Sequence, residues 1–259
     1  MPASDLYKQF QYINNIEHIA ERHGMTIEVS ADFDAFRQIR LAQQERLPIS
    51  PIFDRQVSEL NASNGFWIKG SSESGELVHL QAVRLETLKD ATLAEHLYRH
   101  RDAYAPPGVE VDLERTDYAA SPSSQRITGK VCYHGELWLK GGPGGYRGHG
   151  LTAALPRLAL ALAHMAWSPD YMFGLVHPMA ACKGLAAREG YMHLEPGGIL
   201  WQRKDRDEVY DEWLVWMSHI DLQHLLRFPP LKLYEQLEAK NKASDKEAAA
   251  FTSRVRAAA

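Results

Sequence analysis

Apolar residues recur at helical spacing in several segments of the chain. The first covers residues 3–23, where Leu6, Phe10 and Ile13 begin an amphipathic pattern that stops at Gly24. Asp32 is a residue type that caps helix N-termini, and it precedes a second such pattern over residues 33–46. The sequence predicts further helices after Pro51, over residues 89–104, from Leu151 to Met165, and over residues 179–191.

Segments rich in β-branched and aromatic residues lie between these helices and predict strands. The segments "GFWIKG" and "GELVHLQAVRLE" flank the turn-forming "SSES", and "GGILWQRK" precedes "YDEWLVWMSH", so each pair predicts a hairpin. Single strands are predicted at "MTIEV", "RITGKVCYHGELWLK" and "DYMFGLVHP", and Gly135 indicates a bulge or bend in the second of them. Strands joined partly by hairpins and partly by helices indicate an α/β fold, with a mixed sheet that carries helices on its faces.

The end of the chain differs in composition from the rest. From Pro229 onward the sequence is polar and rich in Lys, Glu and Ala, which predicts a peripheral helix followed by a frayed tail. We therefore expect an N-terminal helix over residues 1–24, one globular domain over residues 25–228, and a polar, helical C-terminal extension over residues 229–259.

Composition excludes several classes of protein. With 45% hydrophobic residues and a formal net charge of −4, the chain is neither a disordered segment nor a basic nucleic-acid binder. Its two cysteines, Cys132 and Cys182, form no CxxC pair, which argues against a disulfide framework or a zinc knuckle and fits a reducing compartment. No apolar run reaches the length of a membrane span, and the N-terminus has no signal pattern. We expect a cytoplasmic protein without a resident metal.

The stretch "GGPGGYRGHGLTAAL", residues 141–155, places many glycines between a predicted strand and a predicted helix. Glycines at such a position let backbone N–H groups converge on an anion, and the positive end of the helix adds to the attraction. The spacing approaches that of a P-loop, but Leu151 stands where a P-loop needs its lysine. A dinucleotide fingerprint is also excluded, because the order of the glycines does not fit and the position about 20 residues on, where an acid is needed, falls in the segment "MAWSPDY".

The hexapeptide Arg147-Gly148-His149-Gly150-Leu151-Thr152 resembles the acyl-CoA-binding motif of the GNAT (GCN5-related N-acetyltransferase) superfamily. The segment "YMFGLVHP" and the later "ACKGLAAREGY", closing on Gly-Tyr, are similar to the strand and helix that follow this motif in the family. The order of elements agrees over residues 25–218. The resemblance implies a mostly antiparallel central sheet and a phosphate cradle for acyl-CoA. It also implies a set of donor-binding residues, namely Leu137, Leu139, Tyr146, Arg147, Gly148, His149, Gly150, Leu151 and Thr152.

Three positions depart from the family pattern. Thr152 replaces the small residue expected at the end of the motif, Met179 stands at the usual asparagine, and Ala186 stands at the usual tyrosine. The tyrosine of the family protonates the leaving thiolate, so this function is unfilled, filled from elsewhere in the chain, or unnecessary.

Acyl transfer to an amine requires an aligned carbonyl, stabilisation of the oxyanion and removal of a proton from nitrogen. Polar residues next to the predicted bend are the candidates for catalysis: Glu136 is the first choice as base, His134 the second, and Tyr133 lies beside them. His134 and Glu136 point the same way along the strand unless a bulge intervenes at Gly135. Arg37 and Arg40 lie on the helix that borders the acceptor site in this family, where they could receive a carboxylate.

The resemblance implies an N-acyltransferase that moves an acetyl or other acyl group from CoA to a small-molecule or peptide amine by direct attack. One alternative is a longer-chain acyltransferase that uses acyl carrier protein, as in N-acyl amino acid or acyl-homoserine lactone synthases. Another is a non-catalytic module of the same fold. The acceptor stays open, and the final hairpin is a plausible edge for a homodimer.

Overall fold

A computed structural model describes residues 3–240, except 117–119, 206, 229, 233 and 237. A seven-stranded sheet runs through it in the order β1-β2-β3-β4-β5-β7-β6. The strands are β1 Met25–Ser30, β2 Gly65–Ser72, β3 Leu77–Thr87, β4 Lys130–Leu139, β5 Tyr171–Val176, β6 His193–Gln202 and β7 Val209–Ser218. Every neighbouring pair is antiparallel except β4 and β5, which are parallel. The predicted α/β fold with a mixed, mostly antiparallel sheet is confirmed.

Seven α-helices surround the sheet between residues 3 and 225. They are α1 Ala3–Glu21, α2 Phe33–Ala42, α3 Leu93–Arg99, α4 Leu155–Trp167, α5 Pro178–Cys182, α6 Leu185–Glu189 and α7 His219–Leu225. Asp32 caps α2 as predicted, because its carboxylate accepts hydrogen bonds from the Asp34 and Ala35 N–H groups. Pro156 lies in the first turn of α4, where its missing N–H costs no hydrogen bond. None of the described helices is long and apolar enough to span a membrane.

Three helix predictions are corrected. A short 3₁₀ turn, Pro51–Phe53, replaces the helix expected after Pro51. The helix predicted over residues 179–191 is two short helices, α5 and α6, because Gly184 adopts a left-handed conformation with φ of +72° that breaks the helical path. The helix predicted over residues 89–104 covers only α3, which begins at the capping box of Thr92 and Glu95.

Apolar side chains form one core on each face of the sheet. One core joins α1 and α4 to the sheet and contains Ile16, Ile19 and Leu158. The other lies under α2 and α3 and contains Phe33, Phe36 and Leu97. Because α1 contributes to the same core as α4, it packs on the sheet directly. The domain boundaries expected at residues 24 and 228 stay predictions.

The described residues between 230 and 240 are helical, in line with the predicted C-terminal helix. Tyr234 is fully buried there, and its hydroxyl lies 2.5 Å from His23 Nε2. This part of the C-terminal extension therefore packs against the loop after α1. The frayed tail expected after it lies outside the described residues.

The sheet opens between β4 and β5. Their parallel pairing covers only Val131 to Tyr133 on β4, opposite Tyr171 to Phe173 on β5, and beyond it the strands diverge. We call this point, at His134 and Gly174, the fork. Past the fork, β4 from His134 to Leu139 has no strand on its β5 side, so its backbone there is open to a ligand.

A bulge lies in β4 just past the fork. Ala82 of β3 pairs with Gly135 and Leu80 pairs with Trp138, so two β4 residues face the single Gln81. Glu136 carries the strain of the bulge with φ of +56°, which is unusual for a residue with a side chain. A Cβ at Gly135 would lie 2.8 Å from the Phe53 ring, so close packing demands the glycine. The bulge predicted at Gly135 is confirmed. It begins at Glu136, one residue after the glycine.

Candidate active site

A cavity of about 630 Å³ opens beyond the fork. The end of β4, the glycine stretch and the helices α5 and α6 surround it. From the predicted donor-binding set it is lined by Leu137, Leu139, Arg147, Gly148, Gly150, Leu151 and Thr152. The other two members lie elsewhere: the His149 ring is 5.5 Å from the His23 ring, and Tyr146 packs against the core beneath α1 and α4. We call this space the donor cavity.

Backbone donors converge at one end of the donor cavity. Gly148 and Gly150 adopt left-handed conformations with φ of +90° and +79°, and Gly150 begins a 3₁₀ turn, Leu151–Ala153, that leads into α4. The N–H groups of residues 149–152 meet no hydrogen-bond acceptor within the part of the chain that the structure describes. Unpaired N–H groups at the start of a helix form a site for anionic oxygen.

Cationic side chains surround these donors. Arg147, Lys183 and Arg188 all line the donor cavity. Arg147 donates from Nε to the Leu139 carbonyl at 2.8 Å and so ties the loop to the end of β4, while Arg188 donates to the Lys183 carbonyl at 2.6 Å. A guanidinium held by one carbonyl keeps most of its charge for a further anion. The cavity thus combines an electropositive end with the apolar Leu137, Leu151 and Leu155.

A chain of buried hydrogen bonds fixes the proton positions at the fork. Gln81 Nε2 donates to the Leu155 carbonyl at 2.8 Å, which leaves Gln81 Oε1 to accept from His134 Nε2 at 2.9 Å. His134 therefore carries its proton on Nε2, and Nδ1 accepts from the Tyr191 hydroxyl, 3.3 Å away. Burial, with His79 nearby, lowers the pKa of His134 to about 4, and burial raises the pKa of Tyr191. Both groups are neutral near pH 7.

Glu136 lies on the other side of the bulge from this chain. Its Oε2 accepts from Arg40 Nε at 2.6 Å and from Arg46 at 3.4 Å, and its Oε1 accepts from the Ser50 N–H at 2.8 Å. The bulge turns Glu136 toward α2 and the loop that follows it, whereas His134 faces α4, so the two side chains do not point the same way. Both oxygens of the Glu136 carboxylate therefore already have partners within the protein.

The two predicted arginines have separate roles. Arg40 is buried and donates to Glu136, to Gln43 and to the carbonyls of Leu47 and Pro48. Arg37 pairs with Asp54 at 3.1 Å and lines neither cavity described in this section. Both guanidinium groups thus already have carboxylate partners.

A second cavity of about 400 Å³ lies on the opposite side of the fork, and we call it the acceptor cavity. It shares Leu137, Ala180 and Leu185 with the donor cavity, so the two spaces meet there. Tyr133, the third predicted catalytic residue, lies in its wall with its ring stacked 5.6 Å from the Phe53 ring, and burial raises its pKa. His134, Glu136 and Arg40 also line it.

Sequence reasoning missed three residues of this region: Tyr191, Glu189 and Glu212. All three line the acceptor cavity. Burial raises the pKa of Glu189 to about 8, and burial raises that of Glu212 to about 7. The sequence offered one signal for Tyr191, the Gly-Tyr pair that closes the family-like segment. No local pattern marks either glutamate, because they reach the cavity from separate elements, α6 and β7.

No group of His, Cys, Asp and Glu side chains with a geometry fit to hold a metal ion occurs among the described residues. The chemistry available at the fork is therefore that of the side chains named above and of whatever the cavities bind.

No family model matches the sequence, and no curated protein matches it either. Solved structures similar to the chain include spermidine N-acetyltransferase from Vibrio cholerae, with 13% identity, a TM-score of 0.42, and coverage of 76% of this chain and 94% of that one. Another is FeeM, an N-acyl amino acid synthase from uncultured soil microbes, with 9% identity, a TM-score of 0.42, and coverage of 78% of this chain and 95% of that one.

A third solved structure is an acetyltransferase of the GNAT family from Streptococcus pneumoniae, with 12% identity, a TM-score of 0.41, and coverage of 75% of this chain and 99% of that one. Likenesses of this size say nothing about activity or substrate, which have to be argued from the two cavities and the fork. The solved structures similar to this chain thus include a member of the superfamily that its glycine stretch resembles.

Proposed function

We propose that the protein is a GNAT-like N-acyltransferase that moves an acyl group from a CoA thioester to an amine. The observation that carries the proposal is the set of unpaired N–H groups at residues 149–152, which lie at the electropositive end of a cavity beside an open strand edge. A pyrophosphate fits the N–H groups and the nearby cations. An extended amide-bearing arm fits the edge of β4 just past the fork, at Leu137, where no strand pairs on the β5 side.

The fork is where donor and acceptor would meet. A thioester lying along β4 brings its carbonyl to the bulge, next to the point where the two cavities join. Such placement converts a bimolecular reaction into an effectively unimolecular one. This proximity supplies a large part of the rate enhancement that such an enzyme needs. The acceptor approaches from the acceptor cavity, and its reacting nitrogen, made neutral by loss of one proton to solvent, attacks the carbonyl carbon directly.

Tyr191 takes the acid role that Ala186 leaves unfilled. As the C–S bond breaks, sulfur takes the Tyr191 hydroxyl proton, and the phenolate recovers a proton from the amine nitrogen as the amide forms. His134 accepts from this hydroxyl in the resting protein, so it positions Tyr191, and Gln81 in turn holds the tautomer of His134. A raised pKa keeps the hydroxyl protonated until the thiolate appears. Glu136, the base expected from the sequence, serves in this proposal to order Arg40 and Arg46.

Calorimetric titration with acetyl-CoA, and separately with a long-chain acyl-CoA, tests the proposal. We expect binding in the micromolar range and its loss in Gly150→Asp, which places a carboxylate among the N–H donors. Gly144→Asp is the matched control, because Gly144 also has a positive φ, of +69°, but lines neither cavity.

Two results would overturn the CoA proposal. One is no binding of either compound, which would leave an acyl carrier protein as donor or a non-catalytic module of this fold. The other is equal loss of binding in the two glycine variants, which would mean that strain in the loop, and not the added charge, removes binding. If the compounds bind, their relative affinity identifies the preferred chain length.

A further inference from the structure

The acceptor cavity is lined by two carboxyl groups, those of Glu189 and Glu212, that have no role in the proposed reaction. We propose that it binds the acceptor as an organic ammonium ion without a carboxylate of its own, a diamine above all, held by the carboxyl groups of Glu189 and Glu212. This inference rests on the proposed function in so far as the ligand is called an acyl acceptor. The binding itself does not require CoA.

The arginine end of the cavity is already occupied by protein acceptors. Arg40 directs its donors to Glu136, Gln43 and the carbonyls before Ser50. Arg46 donates to Gln43 and Glu136, and its guanidinium lies 5.2 Å from the Trp138 ring centre. A carboxylate on the acceptor would have to displace these partners in a buried setting, which is costly.

The same cavity also has two buried carboxyl groups that form no ion pair within the described residues, although the charge of Arg188 acts on Glu189. Glu189 at the end of α6 is 4% exposed, and within the described residues no hydrogen bond or ion pair reaches its carboxyl group. Its side chain nevertheless lines the cavity. A buried carboxyl with no partner of its own is costly to leave unpaired, and a ligand that donates to it removes that cost.

Glu212 lies on β7 in the same wall. It accepts one hydrogen bond, from Trp201 Nε1 at 2.8 Å, and makes no ion pair with any described residue. Burial raises the pKa values of both glutamates and outweighs the opposing charge of Arg188 near Glu189 and the Trp201 hydrogen bond to Glu212. A bound ammonium ion supplies a counter-ion and favours the charged form of each.

Aromatic rings complete the wall around these carboxyl groups. Tyr104, Tyr133, Tyr191 and Tyr210 line the cavity together with Pro106 and Pro107. Ring faces attract a desolvated ammonium ion and pack on the methylene groups between two amines. Because the lining holds two carboxyl groups, one from α6 and one from β7, it favours a ligand with two positive charges over a ligand with one.

Three probes of equal chain length test the proposal by calorimetry: 1,6-diaminohexane, hexylamine and 6-aminohexanoate. Each is titrated into the full-length protein, free and loaded with CoA. We expect the diamine to bind most tightly and the aminohexanoate at least about ten-fold more weakly than hexylamine. Glu189→Gln and Glu212→Gln should each weaken diamine binding by about ten-fold or more.

Glu195→Gln is the matched control. Like Glu212, Glu195 accepts from a tryptophan indole, Trp216 Nε1 at 3.0 Å, but it lines neither cavity. Its replacement removes the same charge, and diamine binding should not change. Equal or tighter binding of 6-aminohexanoate than of hexylamine would overturn the proposal, and so would binding of none of the three probes.

The outcomes separate this inference from the proposed function. If acetyl-CoA fails to bind while the diamine binds through Glu189 and Glu212, the N-acyltransferase proposal is wrong and the ammonium site stands. If acetyl-CoA binds and is lost in Gly150→Asp, but the probes do not discriminate, the donor site stands and the ammonium site is wrong.

Discussion

Arg40 and Glu136 form an ion pair of 2.6 Å in which each side chain is only 2% exposed. The pair crosses from α2 to the bulge of β4 and so fixes the wall of the acceptor cavity. Because each charge is removed from water, neither can be neutralised without leaving the other unpaired. This arrangement makes Glu136 a structural residue of the cavity in our proposal.

We predict that Glu136→Gln lowers the free energy of unfolding by about 3 kcal/mol, because it leaves the buried Arg40 without its counter-charge. Asp54→Asn is the control, since Asp54 pairs with Arg37 at 3.1 Å where both side chains are more exposed, and it should cost less than about 1 kcal/mol. Denaturant unfolding measures both. Equal losses, or a stable Glu136→Gln protein that has lost turnover, would return Glu136 to the role of base.

Replacing Tyr191 by Phe removes the proposed proton donor while keeping the ring in place. We expect kcat to fall by about 100-fold, with little change in KM for acetyl-CoA, because the hydroxyl acts on the leaving sulfur. Tyr12→Phe is the control, since Tyr12 is a buried phenol of α1 outside both cavities. Initial rates of thiol release, measured for both variants, check the prediction; an unchanged kcat in Tyr191→Phe would remove this residue from the mechanism.

We predict that Glu189 makes the folded protein less stable as the pH rises. Burial raises its pKa in the folded protein to about 8, against 4.5 ordinarily. The unfolded chain therefore loses this proton first, and stability falls as pH rises from about 4.5 through about 8. Glu189→Gln removes the effect, so its Tm should exceed the wild-type Tm by several degrees near pH 9 and match it near pH 4.5.

Glu195→Gln is the control for this measurement, and its effect on stability should have the opposite sign. Hydrogen bonds from Ser123 and Trp216 outweigh partial burial and lower the pKa of Glu195. Glu195→Gln should therefore be less stable than wild type near neutral pH, where Glu189→Gln is already more stable than wild type. A Tm difference between Glu189→Gln and wild type that stays constant across the pH range would show that the carboxyl does not titrate as described.

Two buried histidines predict how the fold responds to acid. Burial lowers the pKa values of His79 and His134 to about 4, below the ordinary 6.5. The stability linked to their neutral forms is present above about pH 6.5 and is lost as pH falls through about 4. His79→Asn keeps a donor for the Trp138 carbonyl that His79 Nδ1 contacts at 2.8 Å, but cannot gain a proton. The unfolding free energy of His79→Asn should fall less steeply than that of the wild type as the pH falls from about 6.5 to about 4. An identical slope for the two proteins would contradict the prediction.

The sequence by itself determined the elements and the donor-binding loop. Segments rich in β-branched and aromatic residues on either side of a turn located the hairpins, Asp32 located the start of α2, and the glycines at 148 and 150 located the turn before α4. These features are set by interactions between residues close together in the chain, such as caps and backbone conformations that only glycine adopts readily. Helix ends that depend on packing were predicted less well, as the break at Gly184 shows.

Only the tertiary structure decided which side chains share the acceptor cavity. Glu136, Glu189 and Glu212 come from β4, α6 and β7, and nothing local distinguishes the first, which is ion-paired with Arg40, from the two that form no ion pair within the described residues. Whether a carboxyl is paired, and therefore whether it holds the wall or binds a ligand, depends on burial and on partners far away in the chain. The bulge that separates Glu136 from His134 depends likewise on the register between β3 and β4, which is settled only when the whole sheet assembles.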